Sequence, residues 1–139
     1  MNLFGLVVLG ALGAAWWKLF YSSGPRRRQA IERLRTNRPG EGFEAFAAAA
    51  ELRTVDPRIV KGVWDGLQDQ LMSDSHPIPL RASDHLDDFE LDQGHMDRLI
   101  EDVLTDTNRV IDAPPPLVPV VTIGDLMRSI HEHPPRRAA

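Results

Sequence analysis

Residues 56–71, DPRIVKGVWDGLQDQL, carry the pattern from which the fold can be built outward. Asp56 followed by Pro57 is typical of a helix start, because the Asp side chain can cap the first turn and Pro fits its first position. Large apolar residues then recur at helical spacing and share one face: Ile59, Val60, Val63, Trp64, Leu67 and Leu71. Such a face must be covered by other elements.

Two more helices are predicted downstream. Asp92 can cap a helix whose apolar residues fall at i, i+3, i+4, i+7 and i+8, namely Met96, Leu99, Ile100, Val103 and Leu104. Thr122 and Asp125 form a pair resembling a capping box at the start of the last helix. The apolar face of that helix comprises Ile123, Leu126, Met127 and Ile130.

The segments before and between these helices are predicted from their alanine and proline content. Phe43 to Arg53 is rich in alanine and favours a helix, whereas prolines exclude helix from 76–80 and 113–116. Val118, Val120 and Val121 could form a strand, but no second strand candidate is present. The sequence therefore predicts an all-α fold, a small helical bundle with long loops.

The N-terminal residues predict a membrane anchor. Residues 3–17, LFGLVVLGALGAAWW, contain no charge, and the apolar stretch continues past Lys18 to Tyr21. Nineteen residues of helix span roughly 28 Å, close to the hydrocarbon thickness of a bilayer. Trp16, Trp17, Lys18 and Tyr21 would lie at one membrane interface, where aromatic rings and snorkelling lysines are favoured. Residues 1–21 are therefore predicted to form a transmembrane helix.

The charges that flank this span predict its orientation. A cleaved signal peptide, the alternative, would have a basic segment before the apolar run, yet the basic cluster Arg26, Arg27 and Arg28 follows it. By the positive-inside rule, the N-terminus faces outward and the remaining chain lies in the cytoplasm. Gly10 and Ala14 form a small-xxx-small pair that would permit homo-oligomer formation through the span, although such pairs are common in any Gly- and Ala-rich span and loose packing against lipid also explains them.

Charge divides the chain into two parts. The first 40 residues hold seven basic residues and one acidic residue (+6), and the rest hold nine basic and nineteen acidic residues (−10), which gives the net charge of −4. Residues 22–42 are read as a basic juxtamembrane linker that lies along an anionic leaflet or only fixes topology. The acidic part disfavours nucleic acid as a partner and favours a basic protein surface.

The residues that usually carry chemistry do not form a recognisable site. The chain has no cysteine, and its five histidines lack metal-ligand spacing: His76, His85, His95, His131 and His133. Residues 84–106 contain nine acids and one base but lack the glycine and closing glutamate of a calcium loop. Neither a Gly-rich phosphate loop nor a nucleophile elbow is present. The sequence predicts no enzyme, metal or cofactor.

Three short motifs between residues 56 and 133 resemble those of acyl carrier proteins. Residues 88–92, DFELD, stand where carriers have Asp-Leu-Gly-x-Asp. The acidic helix 96–106 is similar to the carrier recognition helix, and residues 121–126, VTIGDL, are similar to the start of the last carrier helix. The resemblance implies a carrier-type helical layout over 43–133, followed by a tail at 134–139.

The chain departs from carriers at the residue that bears the prosthetic group. Gln93 occupies the position near which carriers have the serine that takes phosphopantetheine, and no serine lies between Ser83 and Ser129. The resemblance is therefore closer to the acyl-carrier-like family of unknown function, in which that serine is often missing. It implies a fold without a thioester-bearing cofactor.

These observations predict a non-catalytic, membrane-anchored adaptor whose acidic helix docks a basic protein. The residues expected to bind the partner are Asp97, Glu101, Asp102 and Asp106. An ordinary solvated helix face would look the same in sequence. The alternative function is a structural accessory subunit of a membrane complex, held by the transmembrane helix.

Overall fold

A computed structural model describes residues 24–71, 76–111 and 119–137 of the chain. The α-helices are α1 (Pro25–Asn37), α2 (Phe43–Ala47), α3 (Pro57–Gln70), α4 (Gln93–Asp106) and α5 (Ile123–Glu132). Two 3₁₀ helices, Ala50–Leu52 and Leu86–Phe89, lie in the connections. The described part of the chain is mostly helical and contains no strand, as an all-α fold requires.

Helix α3 lies at the centre of the core. Asp56 caps it by accepting a hydrogen bond from the Arg58 N–H at 2.9 Å, as the sequence predicts. Its predicted apolar face is buried throughout, and the Trp64 ring packs against Phe43 and Phe46 with centroid distances of 5.9 and 5.0 Å. The centre of the fold therefore follows from the helical spacing.

A buried glutamine fixes the proline-rich loop against α3. Gln68 Nε2 donates to the Ile78 carbonyl, and the Ile78 N–H donates to Gln68 Oε1, both at 2.8 Å. Pro77 and Pro79 keep Ile78 out of a helix, so its backbone groups need partners of another kind. The carbonyl also accepts from the Leu80 N–H at 2.9 Å, and the amide of Gln68 supplies the partner of the Ile78 N–H, so Ile78 and Leu80 can enter the core.

Helices α4 and α5 begin where the sequence predicts. Asp92 accepts from the His95 N–H, and Thr122 and Asp125 form a capping box with both hydrogen bonds present. The apolar residues of α5 are all buried, whereas in α4 Met96 and Ile100 remain partly exposed at the edge of the core. Met96 and Ile100 therefore leave part of the apolar stripe of α4 accessible to solvent.

The valine-rich segment before α5 makes an isolated bridge. Residues 119–121 are irregular, yet His85 bridges Thr122, with the Leu86 N–H donating to the Val121 carbonyl at 3.0 Å. Val118 lies outside the described residues. One bridge holds this segment beside the loop that precedes α4.

The alanine-rich segment is broken into two short helices. A single helix over residues 43–53 would place Phe46 and Leu52 roughly 120° apart around its axis, so both could not point at the centre of the core. Both are buried, because Ala49 leaves the helical conformation and redirects the chain into the 3₁₀ helix. Burial here overrides the high helix propensity of alanine.

Residues 22–42, predicted as a linker, contain helix α1, which packs onto the domain. Ala30 is buried, and Ile31 and Leu34 lie against the core. The helix contacts the 3₁₀ helix Leu86–Phe89. Pro25 at its first turn and the spacing of its apolar residues suit an amphipathic helix. The packing surface it needs comes from residues more than 40 positions away.

No helix in the described ranges is long and apolar enough to cross a membrane. The predicted transmembrane helix, residues 1–21, lies outside those ranges and stays a prediction.

Candidate docking surface on the acidic helix

The start of α4 is held by Asp92. Its Oδ1 accepts from the His95 N–H at 2.8 Å and lies 2.7 Å from the His95 imidazole Nδ1. The backbone N–H of His95 is the main cause that lowers the pKa of Asp92, so the charged carboxylate is the capping form. Glu90, in the left-handed conformation, turns the chain from the 3₁₀ helix toward this cap. The orientation of α4 is therefore fixed from its first turn.

Glycine in α3 lets α4 approach closely. A Cβ at Gly66 would lie 2.1 Å from Leu99 Cδ1, and one at Gly62 would lie 3.3 Å from Val103 Cγ2. The absence of both side chains lets Leu99 and Val103 reach the α3 surface, where they are 2% exposed. Because this face of α4 is buried against α3, the opposite face must point to solvent.

That opposite face bears the four predicted partner-binding carboxylates, all exposed: Asp97, Glu101, Asp102 and Asp106. Arg98 is exposed on the same face, which leaves a local charge of −3. Among the described residues, no ion pair neutralises any of the four. We call these four residues the acidic face.

Several cations of the domain pair with carboxylates away from the acidic face. Arg81 binds Glu41, with its Nη2 2.6 Å from Oε1, and this hydrogen bond is the main cause that lowers the pKa of Glu41. Arg128 contacts both Asp125 and Glu51. These pairs stabilise loops and caps of the fold, whereas the acidic face has no such role in the described structure.

Gln93, which the predicted resemblance would place near the carrier serine, is the first residue of α4 and is exposed. Its Nε2 donates to Asp97 Oδ1 at 2.7 Å, one turn along the helix. The side chain ends in an amide, which lacks the hydroxyl needed to form a phosphodiester. In this fold Gln93 orients one carboxylate of the acidic face.

The predicted membrane-interface residues divide into two groups. Trp16, Trp17, Lys18 and Tyr21 lie outside the described residues. Of the arginines in the first turn of α1, Arg26 lies 3.6 Å from Asp88, and Arg27 donates to the Gln70 carbonyl. Arg28 is exposed. Because Arg27 donates to the Gln70 carbonyl, its side chain faces the domain; burial there lowers the pKa of Arg27, and nearby Glu90 opposes that shift.

A buried arginine that the sequence analysis did not single out joins α3 to the end of α5. Arg109 donates to the carbonyls of His131 and His133 at 2.9 and 2.6 Å, and its Nη2 lies 3.4 Å from Asp56 Oδ2. His131 Nδ1 accepts from the Asp56 N–H. Histidines 131 and 133 thus serve this structural network, and no cluster in the described part of the chain has three or more metal-ligating side chains.

The structure also forms a groove between α4 and α5, which we call the α4–α5 groove. Its volume is about 460 Å³. The lining side chains come from four separate segments: Leu86, Asp87, Leu91, Gln93, Met96, Asp97, Ile100, Val120, Leu126, Ser129 and His133. Sequence reasoning missed it, although two residues of the α4 stripe, Met96 and Ile100, reach it.

Comparison with protein-family models, with curated proteins and with solved structures found no match for this chain.

Proposed function

We propose that the chain is a non-catalytic, acyl-carrier-like adaptor, tethered by its N-terminal span, whose acidic face docks a basic surface on a protein partner. The observation that carries this proposal is the state of the acidic face. Four carboxylates lie exposed on one helix, and no cation among the described residues pairs with them. An uncompensated patch of one sign accelerates encounter with a partner of opposite sign and selects against others.

The rigidity of α4 supports the same proposal. Its apolar face is buried on α3, and its first turn is capped by Asp92, so the backbone positions that bear the carboxylates are fixed. Such preorganisation lowers the entropy lost when a partner binds. A carboxylate pattern on a mobile loop would lack this advantage.

The acyl-carrier-like part of the proposal is supported by the order of elements. A capped helix, a long loop, the acidic helix, a second loop and a Thr-capped last helix follow one another from α3 to α5. Gln93 stands near the carrier serine position and cannot take phosphopantetheine, which is why the proposed adaptor carries no acyl group.

The N-terminal span would determine where in the cell the domain binds its partner. If the span ends at Tyr21, only residues 22–24 separate it from α1, a length of about 10 Å when extended. Since α1 packs onto the domain, the domain would be held at the cytoplasmic membrane surface, and so would its partner. Arg26 and Arg27 of α1 contact the domain. The position of the domain at the membrane would therefore depend more on the span than on lipid binding by these two arginines.

Charge reversal tests this proposal. Asp97, Glu101 and Asp102 are changed together to lysine, and the full chain is crosslinked in native membranes before the captured proteins are identified by mass spectrometry. We expect recovery of the partner to fall by about tenfold or more, since attraction becomes repulsion. We also expect the crosslinked partner peptides to be rich in lysine and arginine.

The matched control carries three lysines at exposed acidic positions on other helices: Glu44, Asp69 and Glu132. It has the same net charge as the test variant and should recover the partner as the unmodified chain does. Unchanged recovery by the test variant, or an equal loss in both, would exclude docking through the acidic face.

A further inference from the structure

We propose that the α4–α5 groove binds an amphipathic basic helix of the partner protein, with apolar side chains in the groove and lysine or arginine against its rim. This inference rests on the proposed function and specifies the partner's binding segment. The acidic face alone would accept many basic surfaces. A groove beside it adds a requirement for shape and apolar contact.

The floor of the groove is apolar and already partly exposed. Leu86, Leu91, Met96 and Ile100 are packed at the edge of the core without being fully covered. Val120 is 36% exposed and its neighbour Val121 is 45% exposed, which places two of the large exposed apolar side chains of the described residues in or beside this groove. Covering such a surface with apolar side chains is favourable in proportion to the area removed from water.

The rim of the groove is acidic. Asp87 stands on the 3₁₀ helix and Asp97 on α4, and both are exposed. Glu101 continues the negative charge one turn further along α4. Fatty acids and anionic lipid headgroups would be repelled by this rim, whereas lysine or arginine beside the apolar anchors would be attracted.

The form of the groove favours a helix over an extended peptide. Its walls are the helices α4 and α5 and the 3₁₀ helix Leu86–Phe89. The described part of the chain offers no strand edge to which an extended peptide could add. A helix needs no backbone partner, because its own hydrogen bonds are internal, and it presents apolar residues at i, i+3 and i+4 to one groove.

Site-specific photo-crosslinking tests this inference on the full chain in detergent micelles. A photo-reactive amino acid replaces Val120 in the groove or, separately, Thr105 on the outer side of α4. Both positions are exposed, so the core is unchanged. The probe is a synthetic amphipathic helix with leucine on one face and lysine on the other. One comparison peptide carries glutamate in place of each lysine. A second keeps the leucines and lysines but contains prolines that prevent a helix.

We expect the lysine helix to crosslink at Val120, and both comparison peptides to crosslink there much less. Changing Asp87 and Asp97 to lysine should reduce the Val120 crosslink by about fivefold or more. The same change at Glu44 and Asp69, which are exposed acids on α2 and α3, should leave it unaltered.

Two outcomes separate the groove from the acidic face. Crosslinking of the lysine helix at Thr105 but not at Val120 would overturn the groove and leave the proposed function standing. Crosslinking at neither position would count against both. Equal crosslinking of the glutamate peptide or the proline-containing peptide at Val120 would overturn the basic or the helical character of the occupant.

Discussion

Helices α1 and α4 are both rich in one charge, but the fold uses those charges in opposite ways. In α1 and at Arg38, the residue directly after it, arginines reach back to the domain: Arg38 pairs with Asp84, and Arg27 and Arg35 donate to backbone carbonyls. In α4 the carboxylates of the acidic face remain exposed and unpaired among the described residues. A run of charge in a sequence is therefore not itself a binding site; its partners in the fold decide its role.

Side-chain length contributes to this difference. Arginine can span the distance from α1 to Asp84 Oδ1 and the Pro79 carbonyl, and its planar group makes two parallel bonds to a carboxylate. The shorter aspartates on the outer face of α4 accept, within the described ranges, one side-chain hydrogen bond, which the amide of Gln93 donates to Asp97. Changes at the paired arginines should therefore affect stability, whereas changes on the acidic face should affect association.

The largest expected effect compares how much the packing of α4 and of α1 contributes to the free energy of unfolding. Leu104→Ala in α4 should lower the free energy of unfolding by about 2–5 kcal/mol, because it leaves a cavity in the buried core. Leu34→Ala in α1 should cost about 1 kcal/mol, since Leu34 is only partly buried. Urea denaturation of the full chain in detergent measures both. Equal losses would mean that α1 is as much a core element as α4.

The next effect concerns two ion pairs, one made by Arg26 of α1 and one by Arg38 directly after it. Arg38→Met should destabilise the fold by about 2–4 kcal/mol, because it leaves the 11%-exposed Asp84 carboxylate without its cation. Arg26→Met is the control: its pair with Asp88 is 3.6 Å long and largely exposed, so its loss should change stability by less than about 1 kcal/mol. Adding Asp84→Asn to Arg38→Met should restore part of the loss. A similar cost for both single variants would refute the distinction between them.

Asp56 is a carboxylate that stabilises the fold, as the arginines of α1 do, and an acid titration tests its contribution. Hydrogen bonds from the Arg58 side chain, the Arg58 backbone N–H and the Arg109 side chain lower the pKa of Asp56 from 3.8 to about 2. A lowered folded-state pKa gives stability that is present above pH 4 and is lost as the pH falls from 4 to 2, on the order of 2 kcal/mol.

Asp56→Asn provides the matched control for this titration, since Asn can still cap α3 but has no proton to gain. Its unfolding free energy should be lower at neutral pH and should fall less steeply below pH 4. An acid dependence identical to that of the unmodified chain would show that Asp56 does not contribute to it.

The sequence predicts the elements whose signals are local. Asp56, Asp92 and Thr122 mark the starts of α3, α4 and α5 because a cap depends on residues two or three positions away. Burial of the apolar stripes of α3 and α5 follows from helical spacing, whereas in α4 Met96 and Ile100 stay partly exposed. The acidic face could be predicted for the same reason, as the side of α4 opposite the stripe.

The features that the sequence analysis missed depend on contacts between distant residues. Helix α1 is stabilised by Asp84 and the Gln70 carbonyl, more than 40 residues away, and its arginines look like a membrane-facing linker when read alone. The spacing of Ala30, Ile31 and Leu34 was the available signal. The α4–α5 groove joins four segments, and no local pattern links Leu86 with Val120 or Ser129.

The smallest expected effect on stability is also the most direct test of the central claim that the acidic face serves a partner and not the fold. Asp97, Asp102 and Asp106 are changed to asparagine and Glu101 to glutamine, and the variant is measured by urea denaturation and by partner recovery from native membranes. We predict a stability change within about 0.5 kcal/mol, because these charges make no ion pair in the described structure, together with a loss of most partner recovery. A large loss of stability, or recovery equal to that of the unmodified chain, would contradict the account.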